Sequence, residues 1–524
     1  MLKNVVYQAL VSAVKNYALG AALTIDESLI TLEKPKEESH GDFATTIAFA
    51  LGKLHKKNPA QVAGEILPYF KSSSLAELVD IDVKGPFINF KVKDQVLIDQ
   101  ALLLKTEKMN FGQENKSGKK ILLEYVSANP TGPLHVGHGR WAAIGDTLAR
   151  VMREGGYEVH TEFYINDTGN QIENFLKSIN AVKNNQPVPE DGYHGAYIKD
   201  LAQISDDPVQ YMIAHQKQIL KNFGVEFTEW FSEKSLHAAN KVDEAIELIK
   251  SKGLTFEQDG ALWFKSTHFG DDKDRVLIRE NGIKTYFAAD LAYHLNKSQR
   301  GFDHLINIWG ADHHGYIARV QAGLSAMTGK EKNYLKVIIG QLVMLYRNGE
   351  PVRLSKRTGE IITLEEVVEE IGVDAARYFL AMKSADNTLE FDLELAKKKG
   401  DENPVFYVQY AHARISSIFR QPDASKFQSS LKISNLTPEE RALLVHLLRF
   451  PEEIESICRH YGVQMLTQYA QALAKLFHYF YHHCRVIDAN DVPRSNFRLA
   501  LSALAQEILA RTLSLLGVSA PDKM

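Results

Sequence analysis

The sequence predicts a multidomain protein, with a small α/β domain over residues 1–110, a parallel-sheet α/β domain over 111–365 and an all-α helix bundle over 366–524. Two observations predict this arrangement. Strand-like and helix-like segments alternate through the middle of the chain, which favours a parallel sheet joined by crossover helices. After residue 363 the apolar residues recur at helical spacing. At 524 residues, the chain is long enough for two to four domains.

The N-terminal 110 residues combine helical and strand-like patterns. Helical spacing predicts three helices, at 2–19, 41–55 and 59–66. Residues 81–83 and 87–92 alternate between apolar and polar side chains, as paired strands do. The expected domain is therefore α/β, and a linker rich in Gly, Lys and Asn follows it at 110–120.

The middle of the chain alternates strands with helices. Strand-like segments occur at 121–126, 158–166, 305–309 and 336–339. Helices are expected to begin near His138, Gly169 and Tyr316. This order predicts a Rossmann-like parallel sheet. An insertion at about 190–280, with a hairpin-like appendage at 260–264 and 276–278, interrupts the sheet.

The last third of the chain is predicted to be entirely helical. Two capping boxes, Thr363 with Glu366 and Thr437 with Glu440, have the spacing that begins a helix. Amphipathic helices are expected at 373–384, 405–420, 439–461, 465–485 and 496–516. Gly517 is placed to end the last of them. Long helices of this kind indicate a helix bundle.

Composition narrows the class of protein. The formal net charge of −4 argues against a generally basic nucleic-acid coat protein, although local basic strips can still contact RNA. The two cysteines, Cys458 and Cys484, are too far apart for CxxC chemistry, which suits a reducing compartment. The N-terminus lacks a signal-peptide pattern and no apolar run reaches the length of a membrane span. We expect a cytoplasmic protein that does not bind membranes.

The most informative segment is 127–140, which reads Ser-Ala-Asn-Pro-Thr-Gly-Pro-Leu-His-Val-Gly-His-Gly-Arg. A strand leads into it and a helix follows, so the segment forms a helix mouth, where backbone N–H groups and the helix dipole favour anions. His135 and His138 could donate hydrogen bonds to phosphate oxygens, and Gly137 would allow close approach of a nucleotide. The segment therefore indicates a nucleotide site.

A second segment has the chemistry of a phosphate-binding loop. A strand-like run at 341–346 leads to Asn348-Gly349, a strong hairpin signal, and the short basic loop 353–359 comes next. A loop of this kind could bring Lys356 to a triphosphate and stabilise the charge that develops when the α-phosphorus is attacked.

Together these segments resemble the two signatures of class I aminoacyl-tRNA synthetases. Residues 135–138 resemble the HIGH motif, and 353–359 resemble the KMSKS loop with Lys356 at its second-lysine position. Further segments are similar to arginyl-tRNA synthetases, namely 41–44, 85–90, 124–130, 164–172, 286–290, 309–316, 374–379 and 407–414. The resemblance implies a ligase that activates L-arginine with ATP and Mg²⁺ to arginyl-adenylate. The arginyl group would then pass to the 3′-terminal adenosine of tRNA(Arg).

The resemblance also implies roles for individual residues. The expected catalytic residues are His135, His138 and Lys356, and the expected ATP-binding residues are these three with Gly137 and Ser355. Arginine would be bound by Glu124, Ser127, Asn129, His138, Tyr286, Asp290 and His313. A carboxylate suits the planar guanidinium fork, and Tyr286 and Asp290 are one helical turn apart. His313 and His314 stand where some family members have glutamine, so either could replace it. A metal site at 312–314 has no further ligand at a suitable spacing, so no metal site is predicted.

The same resemblance predicts how tRNA is bound. The bundle would take the anticodon, with Tyr407, Gln409, Tyr410 and Arg414 as candidate contacts, because unstacked bases are held by aromatic rings and polar groups. Residues 397–399, three lysines, are a candidate phosphate contact, and 479–485 are aromatic enough to stack on bases or to form core. The N-terminal domain would touch the tRNA elbow. We expect a monomer that needs bound tRNA before it activates arginine.

Three alternatives to this interpretation remain at the level of sequence. Another class I synthetase, such as the cysteine or glutamate enzyme, would need zinc-ligand cysteines or a different pocket. A nucleotidyltransferase of the same fold would not need a bundle of about 150 residues. A catalytically inactive RNA-binding paralogue would not need the histidine pair and Lys356. All three are less well matched than an arginine-specific enzyme.

Overall fold

The structure is a computed structural model that describes residues 2–21, 23–35, 37–106, 118–204, 207–352 and 362–524. Its N-terminal part is a three-stranded antiparallel sheet, in the order β1-β3-β2, packed against helices. The elements are α1 (Leu2–Gly20), β1 (Phe43–Thr45), α2 (Ile47–His55), α3 (Pro59–Lys71), α4 (Leu75–Leu78), β2 (Val79–Lys84), β3 (Phe87–Val92) and α5 (Asp94–Thr106).

One predicted helix of this part is wrong at its start. Residues 43–45 form β1, which pairs antiparallel with β3, and the helix begins only at Ile47. The strand is favoured because Phe43 and Thr45 both point into the core when this segment is extended, and both are buried.

The central part contains a five-stranded parallel sheet in the order β11-β10-β4-β5-β6. Its strands are β4 (Lys120–Glu124), β5 (Glu158–Ile165), β6 (Glu229–Ser232), β10 (His304–Gly310) and β11 (Leu335–Gly340). The predicted parallel sheet is confirmed, and β6 at its edge comes from within the predicted insertion. The chain leaves β4 toward β5 on one side, whereas β10 lies on the other. The carboxyl end of β4 is therefore a topological switch point, where ligands of such sheets bind.

Helices cover the sheet, and a small second sheet extends from it. The helices are α6 (Val136–Glu154), α7 (Asn170–Lys183), α8 (Ala196–Ile204), α9 (Pro208–Asn222), α10 (Glu233–Ala238), α11 (Lys241–Ser251), α12 (Tyr286–Gln299) and α13 (Ile317–Thr328). The hairpin-like appendage proves to be a three-stranded antiparallel sheet of β7 (Thr255–Gln258), β8 (Ala261–Phe264) and β9 (Arg275–Ile278).

The predicted hairpin after the parallel sheet is present. β12 (Val343–Arg347) pairs antiparallel with β13 (Glu350–Pro351) and parallel with β14 (Leu389–Asp392). Asn348 and Gly349 both have positive φ, 52° and 80°, as a two-residue hairpin turn of type I′ requires. The basic loop that follows, with Ser355 and Lys356, lies outside the described residues.

The C-terminal part is helical, as predicted, except for β14, a strand that the prediction of an all-α part over 366–524 missed and that pairs with β12. Its helices are α14 (Leu364–Ile371), α15 (Val373–Ala381), α16 (Leu393–Lys397), α17 (Pro404–Phe419), α18 (Pro438–Leu448), α19 (Phe450–His460), α20 (Gln464–His483) and α21 (Val492–Leu516). Both capping boxes form. The prediction of a single helix over 439–461 is wrong, because the helix is interrupted at Arg449 and a second helix, α19, follows. Pro451 lies in the first turn of α19, where its missing N–H is tolerated.

The last helix, α21, contains a long apolar stretch. α21 is long and apolar enough to cross a membrane by length and composition, which the sequence analysis did not anticipate. However, 67% of its most apolar window is buried inside the fold. Its apolar residues pack against α17, α18 and α20, so α21 is the core helix of the bundle.

Candidate active site

The histidine pair lies at the N-terminal mouth of α6, as predicted. His135 is the N-cap, and its Nδ1 accepts a hydrogen bond from the Gly137 N–H at 3.0 Å. The His135 N–H donates in turn to Nδ1 of His138 at 3.2 Å, and the two rings stack with centroids 3.8 Å apart. Both Nδ1 atoms thus accept hydrogen bonds from backbone N–H groups, which fixes the orientation of the two rings at the helix mouth.

Gly137 is required by the histidine pair itself. A Cβ at this position would lie 2.8 Å from Cε1 and 2.9 Å from Nδ1 of His135. Any side chain here would push the His135 ring out of its N-cap position. The absence of a side chain thus preserves the geometry of the helix mouth.

Two segments on either side of the β12–β13 hairpin and the basic loop contact the beginning of α6. Before the hairpin, the Arg140 guanidinium donates to the carbonyl oxygens of Gln341 (2.8 Å) and Leu342 (3.3 Å). After the loop, the Leu364 N–H donates to the Leu134 carbonyl at 2.8 Å. The described residues before the hairpin and after the loop are therefore attached to this part of the site.

Glu124 and Ser127 lie at the carboxyl end of β4, where the backbone turns sharply. Val126 and Ser127 have positive φ values of 72° and 44°, a strained conformation that is typical of functional sites. The Ser127 hydroxyl donates to Glu124 Oε1 at 2.8 Å and accepts the Tyr164 N–H at 3.2 Å. This arrangement holds a hydroxyl and a carboxylate at the switch point of the sheet.

Glu124 is already paired with a cation that the sequence analysis missed. The ammonium group of Lys297, which is fully buried, contacts Glu124 Oε2 and donates to Asn307 Oδ1 at 3.1 Å. Burial by itself would raise the pKa of Glu124, but the Lys297 charge and hydrogen bond outweigh it, so that the net pKa is lowered. Glu124 is therefore an ionised carboxylate whose negative charge is balanced by the ammonium group of Lys297.

Asp290 is the second carboxylate of this pocket and has a different environment. It lies in the first turns of α12, and Oδ2 accepts a 2.5 Å hydrogen bond from the Tyr316 hydroxyl. Burial is the main cause that raises the pKa of Asp290 to about 7, and the nearby Glu233 and Glu124 add to it, whereas Tyr316 and Lys297 oppose it. Within the described ranges, no basic side chain forms an ion pair with Asp290.

Glu233 is a third carboxylate beside the pocket. It is the first residue of α10, is 4% exposed and accepts a hydrogen bond from the Thr168 hydroxyl at 3.2 Å. Its charge contributes to the raised pKa of both Asp290 and Tyr164, although burial is the larger cause for each. The pocket thus presents a concentration of negative charge that suits a cationic ligand.

Three family models together match most of the chain. "Arginyl tRNA synthetase N terminal domain" matches residues 1–92, "tRNA synthetases class I (R), catalytic domain" matches 98–191 and 199–399, and "DALR anticodon binding domain" matches 408–524. The chain belongs to the arginyl-tRNA synthetase family. The predicted resemblance is therefore confirmed, and the arginine-specific models favour it over the alternative classes.

Individual relatives agree with this assignment. An arginine–tRNA ligase of Carboxydothermus hydrogenoformans is 44% identical over 95% of each chain, and one of Bacillus subtilis is 42% identical over 100% of this chain and 99% of the relative. A solved arginyl-tRNA synthetase structure from Campylobacter jejuni is 36% identical with a TM-score of 0.74, covering 83% of this chain and 100% of that one. The Thermus thermophilus arginyl-tRNA synthetase, at 22% identity and a TM-score of 0.78, covers 100% of each chain and supports the fold.

The residues that the family resemblance assigned to arginine lie in different environments. Tyr286 is 58% exposed, and His313 lies at the surface with its Nε2 3.6 Å from Asp312. The Asn129 amide reaches the side chain of Gln171. The hydroxyl that contacts Asp290 belongs to Tyr316, which the sequence analysis did not assign to arginine binding. The roles of Tyr286, Asn129 and either histidine in arginine binding stay predictions.

The candidate anticodon residues separate into two groups. Arg414 donates to the Tyr410 hydroxyl at 3.0 Å and lies 3.1 Å from His478 Nδ1, and Tyr407 packs on the same imidazole with ring centroids 4.8 Å apart. These half-buried residues form one aromatic and basic cluster, which we name the bundle cluster. Gln409 points elsewhere, because its amide donates to Asp374 inside the fold.

The three lysines at 397–399 are not equivalent. Lys397 pairs with Glu370 at 2.5 Å and Glu394 at 2.9 Å, and Lys398 lies 3.6 Å from Glu402. Their charges are already partly compensated within the fold, which weakens this run as a phosphate contact.

Among the described residues, one group has the spacing of metal ligands, namely His160, Glu162 and Glu229. The Arg300 guanidinium occupies this position, since it donates to Glu162 at 2.6 Å and to Glu229 at 2.7 Å. The group is therefore the acceptor set of a buried arginine.

Proposed function

We propose that Asp290 selects the guanidinium of L-arginine and that the histidine pair holds the ATP phosphates during formation of arginyl-adenylate. The chain is an arginine–tRNA ligase by family, so it activates arginine with ATP and charges tRNA with the product. The observation that supports the role of Asp290 is its half-buried carboxylate, whose described partner is a neutral hydroxyl and not a cation. A guanidinium would complete this pocket with a charge-assisted fork.

The chemistry follows from positioning. The carboxylate of arginine attacks the α-phosphorus of MgATP, the bond to the β-phosphate oxygen breaks, and pyrophosphate leaves. The 2′- or 3′-hydroxyl of the terminal tRNA adenosine then attacks the adenylate carbonyl, and AMP leaves. No covalent intermediate with the protein is needed, so that the protein acts through orientation and charge stabilisation.

Each part of the pocket has a separate task in this scheme. The imidazole rings of His135 and His138 are proposed to contact phosphate oxygens at the positive end of α6. Glu124 and Ser127 provide acceptors for the α-amino group of arginine at the end of β4. Ser355 and Lys356, which lie outside the described residues, are proposed to contact the phosphates as well.

The negative pocket accounts for specificity. Lysine has a cation but no planar fork, and L-citrulline has the shape of arginine but no charge. Lysine in place of arginine would leave carboxylate oxygens of Asp290 or Glu233 without hydrogen-bond donors. Citrulline would leave these carboxylates without a countercharge. Either loss is costly in a desolvated pocket. Both should be rejected.

ATP–pyrophosphate exchange with each of the twenty amino acids and with L-citrulline, with and without tRNA(Arg), tests the proposal. We expect exchange with arginine alone, and little of it until tRNA is added. Exchange of similar rate with lysine or citrulline would contradict the role of Asp290. Charging of tRNA with radiolabelled arginine serves as the positive control for a folded enzyme.

We also propose that the chain acts as a monomer in the cytoplasm. The N-terminal, catalytic and anticodon-binding models all match one chain, so a single copy contains every part that the reaction needs. Analytical ultracentrifugation with and without tRNA tests this, and a dimer that alone is active would overturn it.

A further inference from the structure

A buried ionic junction lies midway along α6, the helix that begins with the histidine pair. Asp146, about 16 Å along α6 from His135 by the rise of a helix, is 5% exposed. Its Oδ2 accepts hydrogen bonds from Nη2 of Arg377 at 2.5 Å and from Nε of Arg150 at 2.7 Å. Arg377 belongs to α15 and is fully buried. One carboxylate thus holds two guanidinium groups.

The remaining N–H groups of both arginines donate hydrogen bonds to the C-terminal ends of two other helices. Arg377 donates to the carbonyl oxygens of Leu516 at 2.9 Å and Phe223 at 3.1 Å. Arg150 donates to those of Ser514 at 3.2 Å and Gly224 at 3.1 Å. These carbonyls lie at the C-terminal ends of α21 and α9, the negative ends of the helix dipoles. The junction therefore joins α6, α9, α15 and α21 through charge.

Gly517 adapts the end of α21 to this junction. It is the C-cap with φ of 69°, and a Cβ there would lie 2.3 Å from Arg377 Nε. Glycine is needed both for the left-handed backbone and for the space that the guanidinium occupies.

α21 connects the junction to the part of the bundle that carries the candidate anticodon contacts. The helix has 25 residues, about 37 Å in length, and it packs against α17 and α20. These two helices carry Tyr407, Arg414 and His478 of the bundle cluster. A continuous path of packed helices therefore runs from the bundle cluster through Arg377 and Asp146 to His135.

We propose that the Arg377–Asp146 pair couples tRNA bound on the bundle to the ATP site, acting as a pair of positioning residues through α6. The inference rests on the proposed function of the histidine pair and the bundle. A movement of α21 on tRNA binding shifts the Leu516 carbonyl oxygen, which accepts a hydrogen bond from Arg377. Because a buried guanidinium that loses one acceptor must be compensated by its other acceptors, the remaining hydrogen bonds of Arg377 then change as well. Arg377 is hydrogen-bonded both to Asp146 on α6 and to the end of α21, so α6 responds to the same movement. By thermodynamic linkage, bound ATP must then change the affinity for tRNA.

Asp146→Asn and Arg377→Lys test the coupling. Both keep the approximate shape of the side chain, and thermal unfolding identifies the folded samples. We measure arginine-dependent ATP–pyrophosphate exchange with and without tRNA(Arg), and the Kd for tRNA with and without ATP. We expect the stimulation by tRNA to fall about tenfold, and the effect of ATP on the tRNA Kd to shrink correspondingly. The tRNA Kd without ATP should stay within about twofold.

Arg441→Met is the matched control. Arg441, on α18, donates to the buried Asp42 at 2.6 Å and to the Val92 carbonyl at 2.7 Å, so its loss weakens a buried charged network that includes neither α21 nor α6. It should lower the melting temperature but keep the stimulation by tRNA. If Asp146→Asn and Arg377→Lys behave like this control, or if tRNA does not stimulate exchange by the unaltered enzyme, the coupling is overturned. A chain that charges no arginine at all would instead overturn the proposed function.

Discussion

The hydroxyl of Tyr316 donates a 2.5 Å hydrogen bond to the carboxylate of Asp290 across the candidate arginine pocket. Tyr316 follows β10, and Asp290 lies on α12, so the contact joins two elements that are 26 residues apart in sequence. The neutral donor orients the carboxylate but does not neutralise it. This relationship leaves Asp290 available for a cation and underlies the first three predictions.

Asp290→Asn should lower kcat/KM for arginine by about 10²–10³, because a desolvated charge pair with the guanidinium is lost. The KM for ATP should change by less than about twofold, since the histidine pair is untouched. Discrimination against L-citrulline should shrink at the same time. Steady-state exchange kinetics measure all three, and an equal loss for arginine and ATP would contradict the assignment.

Arginine binding should weaken at acidic pH. The pKa of Asp290 is raised to about 7 in the free protein, mainly by burial, whereas a bound guanidinium requires the ionised carboxylate. Below this pKa the protein must release a proton when arginine binds, so the Kd should be about tenfold higher at pH 6 than at pH 8. Calorimetry in buffers of different ionisation enthalpy should detect the released proton, and Asp290→Asn should abolish both effects. A Kd that is constant over this range would refute the prediction.

Tyr316→Phe should shift this pH dependence upward. The hydrogen bond from Tyr316 lowers the pKa of Asp290, so its loss leaves burial less opposed and raises that pKa further. We expect the KM for arginine to rise about tenfold at pH 7, and to recover toward the value of the unaltered enzyme at pH 9. An equal defect at both pH values would indicate a steric role only. Tyr211→Phe, at a residue of α9 that is 42% exposed and has no assigned role, is the control and should have little effect.

Local patterns predicted the part of the site that is built from one segment. The strand, turn and helix around the histidine pair follow from residues 121–154, and the structure has β4 and α6 there. Asp290 was found because family resemblance marked the short segment 286–290. Helical spacing placed Tyr286 on the same face as a second arginine contact, which stays a prediction, whereas the hydrogen bond to Asp290 comes from Tyr316 on another element. The spacing of residues along one helix cannot reveal a contact with a side chain from another element, which a crossover connection places beside that helix.

The missed residues are charged groups that the fold buries. Lys297 lies two turns after Asp290 on α12, and Glu233 begins α10 directly after β6, a strand that had no clear pattern of its own. Sequence patterns assign lysine and glutamate to the surface unless a partner is known, and here the partners come from distant strands. The same reason explains β1, whose residues 43–45 become a strand only because β3 is beside them.

Lys297→Met should be among the most destabilising substitutions in the catalytic domain. Removing the ammonium group leaves Glu124 buried without its countercharge, which costs about 3–5 kcal/mol in the free energy of unfolding. Glu124→Gln combined with Lys297→Met removes both charges, so the double variant should recover part of the loss, since a neutral amide needs hydrogen-bond partners but no countercharge. Chemical denaturation of the four proteins gives the coupling energy. Unfolding energies that add without coupling would show that the two groups do not stabilise each other. The double variant should also bind arginine weakly although it is folded, because Glu124 is then no longer an acceptor for the α-amino group.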